Sequence, residues 1–70
     1  MESDFEFTYN AYTEVLKKIE ELKGSVDLST SMAVFRTVNS IWLYEGREGI
    51  TALLEDVKTW KINPEEEQYE

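Results

Sequence analysis

The chain has 70 residues, 41% of them apolar, and carries 15 acids against 7 bases for a net charge of −8, with neither Cys nor His. That length holds one small domain, expected over residues 1–64 with an acidic tail at 65–70, and a chain of this size buries only about 60% of the surface it exposes unfolded. The missing Cys and His exclude disulfide staples and the usual zinc ligands, and the charge argues against direct binding to nucleic acid or to an anionic membrane, both of which call for clustered Lys and Arg.

Met1-Glu2-Ser3-Asp4 carries acid where a secretory signal carries base, and no apolar run reaches the length of a signal core or a membrane span. A cytoplasmic location is the expectation. Asp4-Phe5-Glu6-Phe7-Thr8-Tyr9 alternates polar and aromatic residues, and a period of two predicts a short N-terminal extended arm or strand. Glu2, Asp4 and Glu6 would then lie along one edge at about 6.6 Å intervals, close to the spacing of phosphates along a nucleic-acid strand.

From Asn10 the period changes. Tyr12, Val15, Leu16, Ile19 and Leu22 form one helical stripe, with Asn10 as its expected cap and Gly24 as its left-handed stop. Glu14 with Lys18 and Lys17 with Glu21 are i,i+4 neighbours of opposite charge. Residues 25–31 read as a loop ending in a cap near Ser29 to Ser31. A second helix is expected from there to about Tyr44, with Val34, Phe35, Val38, Ile41 and Trp42 on one side. The same residues are good strand formers, so a β-hairpin over 32–44 is the alternative.

Glu45-Gly46-Arg47-Glu48-Gly49 reads as a loop. Ile50, Leu53, Leu54, Val57 and Trp60 then repeat the helical stripe to about Lys61, where Asn63-Pro64 stops it. The expected fold is mainly α, a small three-helix domain with an N-terminal extended arm.

The chemistry of a catalyst is missing from this inventory. His and Cys are absent, Ser29 and Ser31 have no base beside them and read as caps. The Gly46 to Gly49 spacing is not that of a phosphate loop. No Asp-x-Asp-x-Asp-Gly run is present, and the neighbouring pairs Glu20/Glu21 and Glu55/Asp56 point different ways on a helix. Neither an enzyme nor a cofactor or metal site is implied.

What remains is a charged surface, and its acids gather at the ends. Glu2, Asp4, Glu6 and Glu14 are unopposed in residues 1–14, as are Glu65, Glu66, Glu67 and Glu70 in the tail. In size, acidity and lack of Cys and His, the whole chain resembles the small DNA-mimic inhibitors that bacteriophages make against host DNA-binding proteins, such as nucleoid proteins, repair enzymes and nucleases. A second likeness, to helical bacteriocin immunity proteins, rests on Tyr12-Thr13-Glu14-Val15-Leu16-Lys17-Lys18-Ile19 and on the run from Gly49-Ile50 to Lys61. Their Tyr-Tyr-Pro recognition helix is lacking.

The resemblance implies a non-catalytic inhibitor that sets carboxylates against the basic DNA-binding surface of a partner protein. The candidate contacts are Glu2, Asp4, Glu6, Glu14, Glu45, Glu48, Glu55, Asp56, Glu65, Glu66 and Glu67. The alternative is a small regulatory or structural module in which aromatics of the arm and second helix form a homodimer or dock on a partner helix.

Overall fold

The computed structural model describes residues 2–61. The protein is mainly helical: α1 spans Asp4–Lys23, α2 spans Leu28–Val57, and there is no strand among the described residues.

The expected extended arm is instead the first turns of α1. Ser3 is the N-cap: its Oγ accepts from the Glu6 backbone N–H at 3.1 Å, and Glu6 Oε1 accepts from the Ser3 N–H at 3.0 Å. This reciprocal pair satisfies two of the helix's unpaired donors. Asp4 and Glu6 also place negative charge at the positive end of the helix dipole. The alternation of Phe5, Phe7 and Tyr9 is compatible with a helix because Phe5 and Tyr9 are also i,i+4 neighbours, their rings stacked at 6.0 Å. Asn10, expected as the cap, lies inside α1 and donates to Glu2 Oε2 at 2.6 Å. Gly24 does end the helix, at φ 90° and ψ −21°, with its N–H donating to the Glu20 carbonyl.

α2 begins earlier than expected. Asp27, not Ser29 or Ser31, is the cap, its Oδ1 accepting from the Thr30 N–H at 2.8 Å. Residues 32–44 are helical throughout, which removes the hairpin alternative. The helices number two rather than three, because the loop expected over 45–49 is absorbed into α2 as a kink at Gly46, with φ 69° and ψ −156°. That conformation is open to glycine and essentially closed to any residue with a Cβ. The kink returns Leu53 and Trp60 to a groove that they line together with Val15 and Ile19 of α1 and with Thr30, Ala33 and Val34 near the start of α2. Gly49 allows the close return: a Cβ there would collide with the side chain of Glu45 and come within 2.9 Å of Ile41 Cγ2.

α2 ends at Val57, short of Lys61, and the Asn63-Pro64 stop and the acidic tail lie outside the described residues. The expected Glu14–Lys18 and Lys17–Glu21 pairs do not form; Lys18 instead reaches Glu21 at 3.8 Å.

The core is made of small side chains. Ala11, Val15, Val34, Val38, Ile50 and Val57 are buried, and Phe7, Tyr12, Leu16, Ile19, Ile41, Trp42, Leu53, Leu54 and Trp60 pack around them half-buried. Short residues at the crossing let the helix axes approach closely. No described helix is long and apolar enough to cross a membrane.

Two predictions test this framework. Gly46→Ala should cost about 1–3 kcal/mol in urea unfolding, the range for a side chain forced into a glycine-only backbone conformation. The Thr30 backbone hydrogen bond, followed by the Thr30 side chain, holds the Asp27 carboxyl below its ordinary pKa. A lowered folded-state pKa means that the cap's contribution is complete at neutral pH and is lost as pH falls through the lowered value. Asp27→Asn keeps an acceptor but does not titrate. Its stability relative to the natural protein should therefore rise as denaturation is repeated from neutral into acid, and a constant difference would remove the carboxylate from the cap's energetics.

Candidate functional site: an uncharged apolar face and an acidic surround

The expected partner-binding acids are exposed but not assembled. Asp4 and Glu6 stand two residues apart on α1 and so point about 200° apart, and Glu2 precedes the Ser3 cap outside the helix, so the three do not form a row. Each is also engaged locally: Glu2 with Asn10, Asp4 with Arg47 at 3.2 Å, and Glu6 in the capping box. Glu14 lies further along α1, and Glu45, Glu48, Glu55 and Asp56 lie along α2. Glu55 is 3.6 Å from Lys58, and Asp56 accepts a long 3.4 Å hydrogen bond from the Trp60 indole. Glu65, Glu66 and Glu67 lie outside the described residues. No group of three acids among the described residues could hold a metal ion.

The residues that do come together are apolar. Phe5, Tyr9 and Tyr12 follow one another at i, i+4, i+7 on α1, and Leu28, Met32 and Phe35 do the same on α2. An aromatic ladder joins the two rows. Tyr9 and Tyr12 have ring centres 5.9 Å apart, and Tyr12 meets Phe35 edge-on at 5.6 Å with an interplanar angle of 89°. Edge-to-face contact of this kind is worth about 0.5–1.5 kcal/mol beyond burial. A shallow groove between the rows is floored by Val38 and bordered by Thr8 and Asn39, and a second lies between Tyr12, Met32 and Arg36.

This face is strongly exposed. Phe5 is 73% accessible, Leu28 75% and Phe35 51%, and helical spacing carries the α2 row on through Asn39 to Leu43, 74% accessible. Scattered exposed apolar residues are ordinary, whereas a contiguous patch on a small protein marks a contact surface. The first groove has no charged side chain in its lining, and Arg36 is the one charged residue that lines the second.

The sequence pattern placed Phe35 and Tyr12 with the core side of their helices. The structure turns Phe35 outward and leaves Tyr12 half-buried. Met32, Leu28 and Leu43 were not singled out by sequence. Their spacing of i, i+4 and i+15 on one helix was the signal that could have found them.

A separate corner holds the kink against α1. Arg47 stacks its guanidinium over the Phe7 ring at 4.3 Å while bonding Asp4, and Phe7 in turn packs against Trp42 at 6.3 Å. Both Arg47 and Asp4 are about half exposed or more, so solvent screening holds the ion pair to at most about 1 kcal/mol, with a similar increment from the cation–π contact.

Comparison of the chain with protein-family models, with curated proteins and with solved structures finds no match. The functional reading therefore rests on the residues themselves.

Arg47→Ala should lower stability by about 1–2 kcal/mol, measurable by urea denaturation, and Arg47→Lys should recover only part of it because an ammonium cannot stack as a planar fork. Equal stability of all three proteins would show that the corner contributes nothing.

Proposed function

We propose that the protein is a non-catalytic interaction module that docks on a helical partner surface through the face of Phe5, Tyr9, Leu28, Met32 and Phe35. The observation that carries this reading is the contiguous apolar surface spanning both helices, free of acids in its two grooves and with its largest side chains half exposed or more. Burying one such side chain in a partner groove is worth about 1.5–3 kcal/mol, so a few of them supply the affinity of a regulatory contact.

A second reading has its own support. The net charge is −8, and every acid among the described residues is exposed. A basic DNA-binding protein would meet carboxylates on several sides, and an inhibitor that mimics DNA would act in the cytoplasm through that field. With the extended arm replaced by helix, this reading rests on total charge and not on a phosphate-like row. It takes second place for that reason.

One capture experiment separates the two. The natural protein, a Met32→Asp/Phe35→Asp variant and a Glu14→Lys/Glu48→Lys variant are used as bait in a cell lysate, with salt and duplex DNA as eluents. Docking through the apolar face predicts that the partner is lost only with the first variant and resists both eluents. A partner lost with the second variant, and released by salt and DNA, would establish the mimic instead.

A further inference from the structure

We infer that Gly46 is a hinge, and that the chain has a second state in which α2 straightens through it and residues 47–57 exchange with those of a second copy, each completing the other's core. The exchange is independent of the docking reading, because it leaves the face of Phe5, Tyr9, Leu28, Met32 and Phe35 as it stands.

Very little makes the reversal. Between α1 and α2 the chain is stopped several times over: Gly24 adopts the left-handed conformation, residues 25–27 lie outside any helix, and Asp27 caps the new helix through the Thr30 N–H. At Gly46 one residue carries the whole turn, and helix resumes directly after it. Pro is absent from residues 28–57, and Tyr44-Glu45-Gly46-Arg47 contains no Ser, Thr, Asp or Asn to cap a fresh helix. Glycine reaches helical angles as well as the φ 69° and ψ −156° it holds here. Nothing local therefore prevents α2 from running straight.

Tertiary contact is what holds the bend. Ile50 and Val57 sit in the core with Val15 and Val38, and Arg47 reaches Asp4 and Phe7. Those partners lie on α1 or on the first part of α2. Straightening uncovers them and strands Ile50 and Val57; a second straightened copy supplies both losses. The complementary surface is thus the one already seen within a single chain, with the same shape and the same charges. Exchange of an identical element is a low-cost route to a dimer, and a short hinge invites it. Straightening does give up the close approach of Gly49 to Ile41, and pairing draws on free chains. The bent single chain accordingly prevails when dilute, and the exchanged pair gains with concentration.

Pulsed electron paramagnetic resonance can read the length of α2. Ser29 lines one groove with Trp60, so spin labels on Ser29→Cys and Lys58→Cys, both exposed positions in a chain without Cys, lie close together in the bent form. In a straight helix they stand about 44 Å apart. The doubly labelled chain is diluted in excess unlabelled chain, so that only distances within one chain are measured, and sedimentation equilibrium gives the mass. The natural protein should show the short distance when dilute and, after refolding from urea at high concentration, a dimer with the long one. Gly46→Ala favours helix and bars the bend, and should reach the same dimer fraction at roughly 100-fold lower concentration. Its urea midpoint, lowered when dilute, should rise with concentration.

A natural protein whose labels stay close at every concentration, concentrated refolding included, would overturn the inference even where Gly46→Ala fails to fold. A dimer of either protein that keeps the short distance would overturn it too, since its copies associate without exchange. A folded Gly46→Ala that remains monomeric with its labels close would remove Gly46 as the hinge.

Discussion

A single backbone conformation at Gly46 organises the tertiary structure. Without a reversal there, residues 47–57 would continue along the axis of α2 and leave Ile50, Leu53 and Val57 with nothing to pack against. With it, Ile50 becomes fully buried and Val57 joins Val15, Val34 and Val38 in one cluster. Two neighbours make the reversal productive. Arg47, the next residue, ties the corner to Asp4 and Phe7 on α1, and Gly49 removes the side chain that would hold the returning segment away from Ile41. The turn, the latch and the close approach occupy four consecutive residues, so a short segment sets the relation between α1 and both parts of α2.

Much of the helical framework was legible in the sequence because its signals were long. The stripes Val15, Ile19 and Val34, Val38 lie against the core, and Gly24 stops α1 as its position suggests. The errors came where a short pattern fitted two periods. Phe5, Phe7 and Tyr9 satisfy a period of two and also include an i,i+4 pair, and only the capping box of Ser3 and Glu6 decides between them. The strand alternative for residues 32–44 rested on β-branched and aromatic composition, which reports a preference for packed surfaces as much as for extended backbone. At Gly46 the sequence did indicate a break. Whether a glycine separates two helices or kinks one depends on hydrogen bonds formed on either side of it, which composition does not reveal.

The candidate acids were harder to place, for a different physical reason. Net charge is a property of the whole chain, whereas a binding surface is a property of one face. Glu2, Asp4 and Glu6 were grouped by an extended geometry; with the helix starting at Asp4, Asp4 and Glu6 diverge, Glu2 lies before the cap, and the three act as side-chain acceptor, ion-pair partner and capping residue. The apolar face escaped notice because apolar residues at helical spacing are first assigned to the core. On these helices there are more such residues than one side can bury.

That excess follows a pattern of size. The fully and nearly buried positions are taken by Ala, Val and one Ile, while Phe5, Tyr9, Phe35 and Tyr44 are half exposed or more. Small residues at the centre of the core leave the larger rings to pack around its edge. Phe7, Tyr12, Trp42 and Trp60 pack half-buried against that core, whereas Phe5, Tyr9 and Phe35 stay outside it and meet Tyr12 as a ladder across α1 and α2. A chain selected only to fold alone would gain more by burying these rings, since apolar burial is its main source of stability and a domain of 70 residues has little to spare. Keeping Phe5, Tyr9 and Phe35 outside and aligned is costly for an isolated molecule and favourable for one that associates, so the division between a small-residue core and an exposed aromatic face is the physical support for the proposed docking reading.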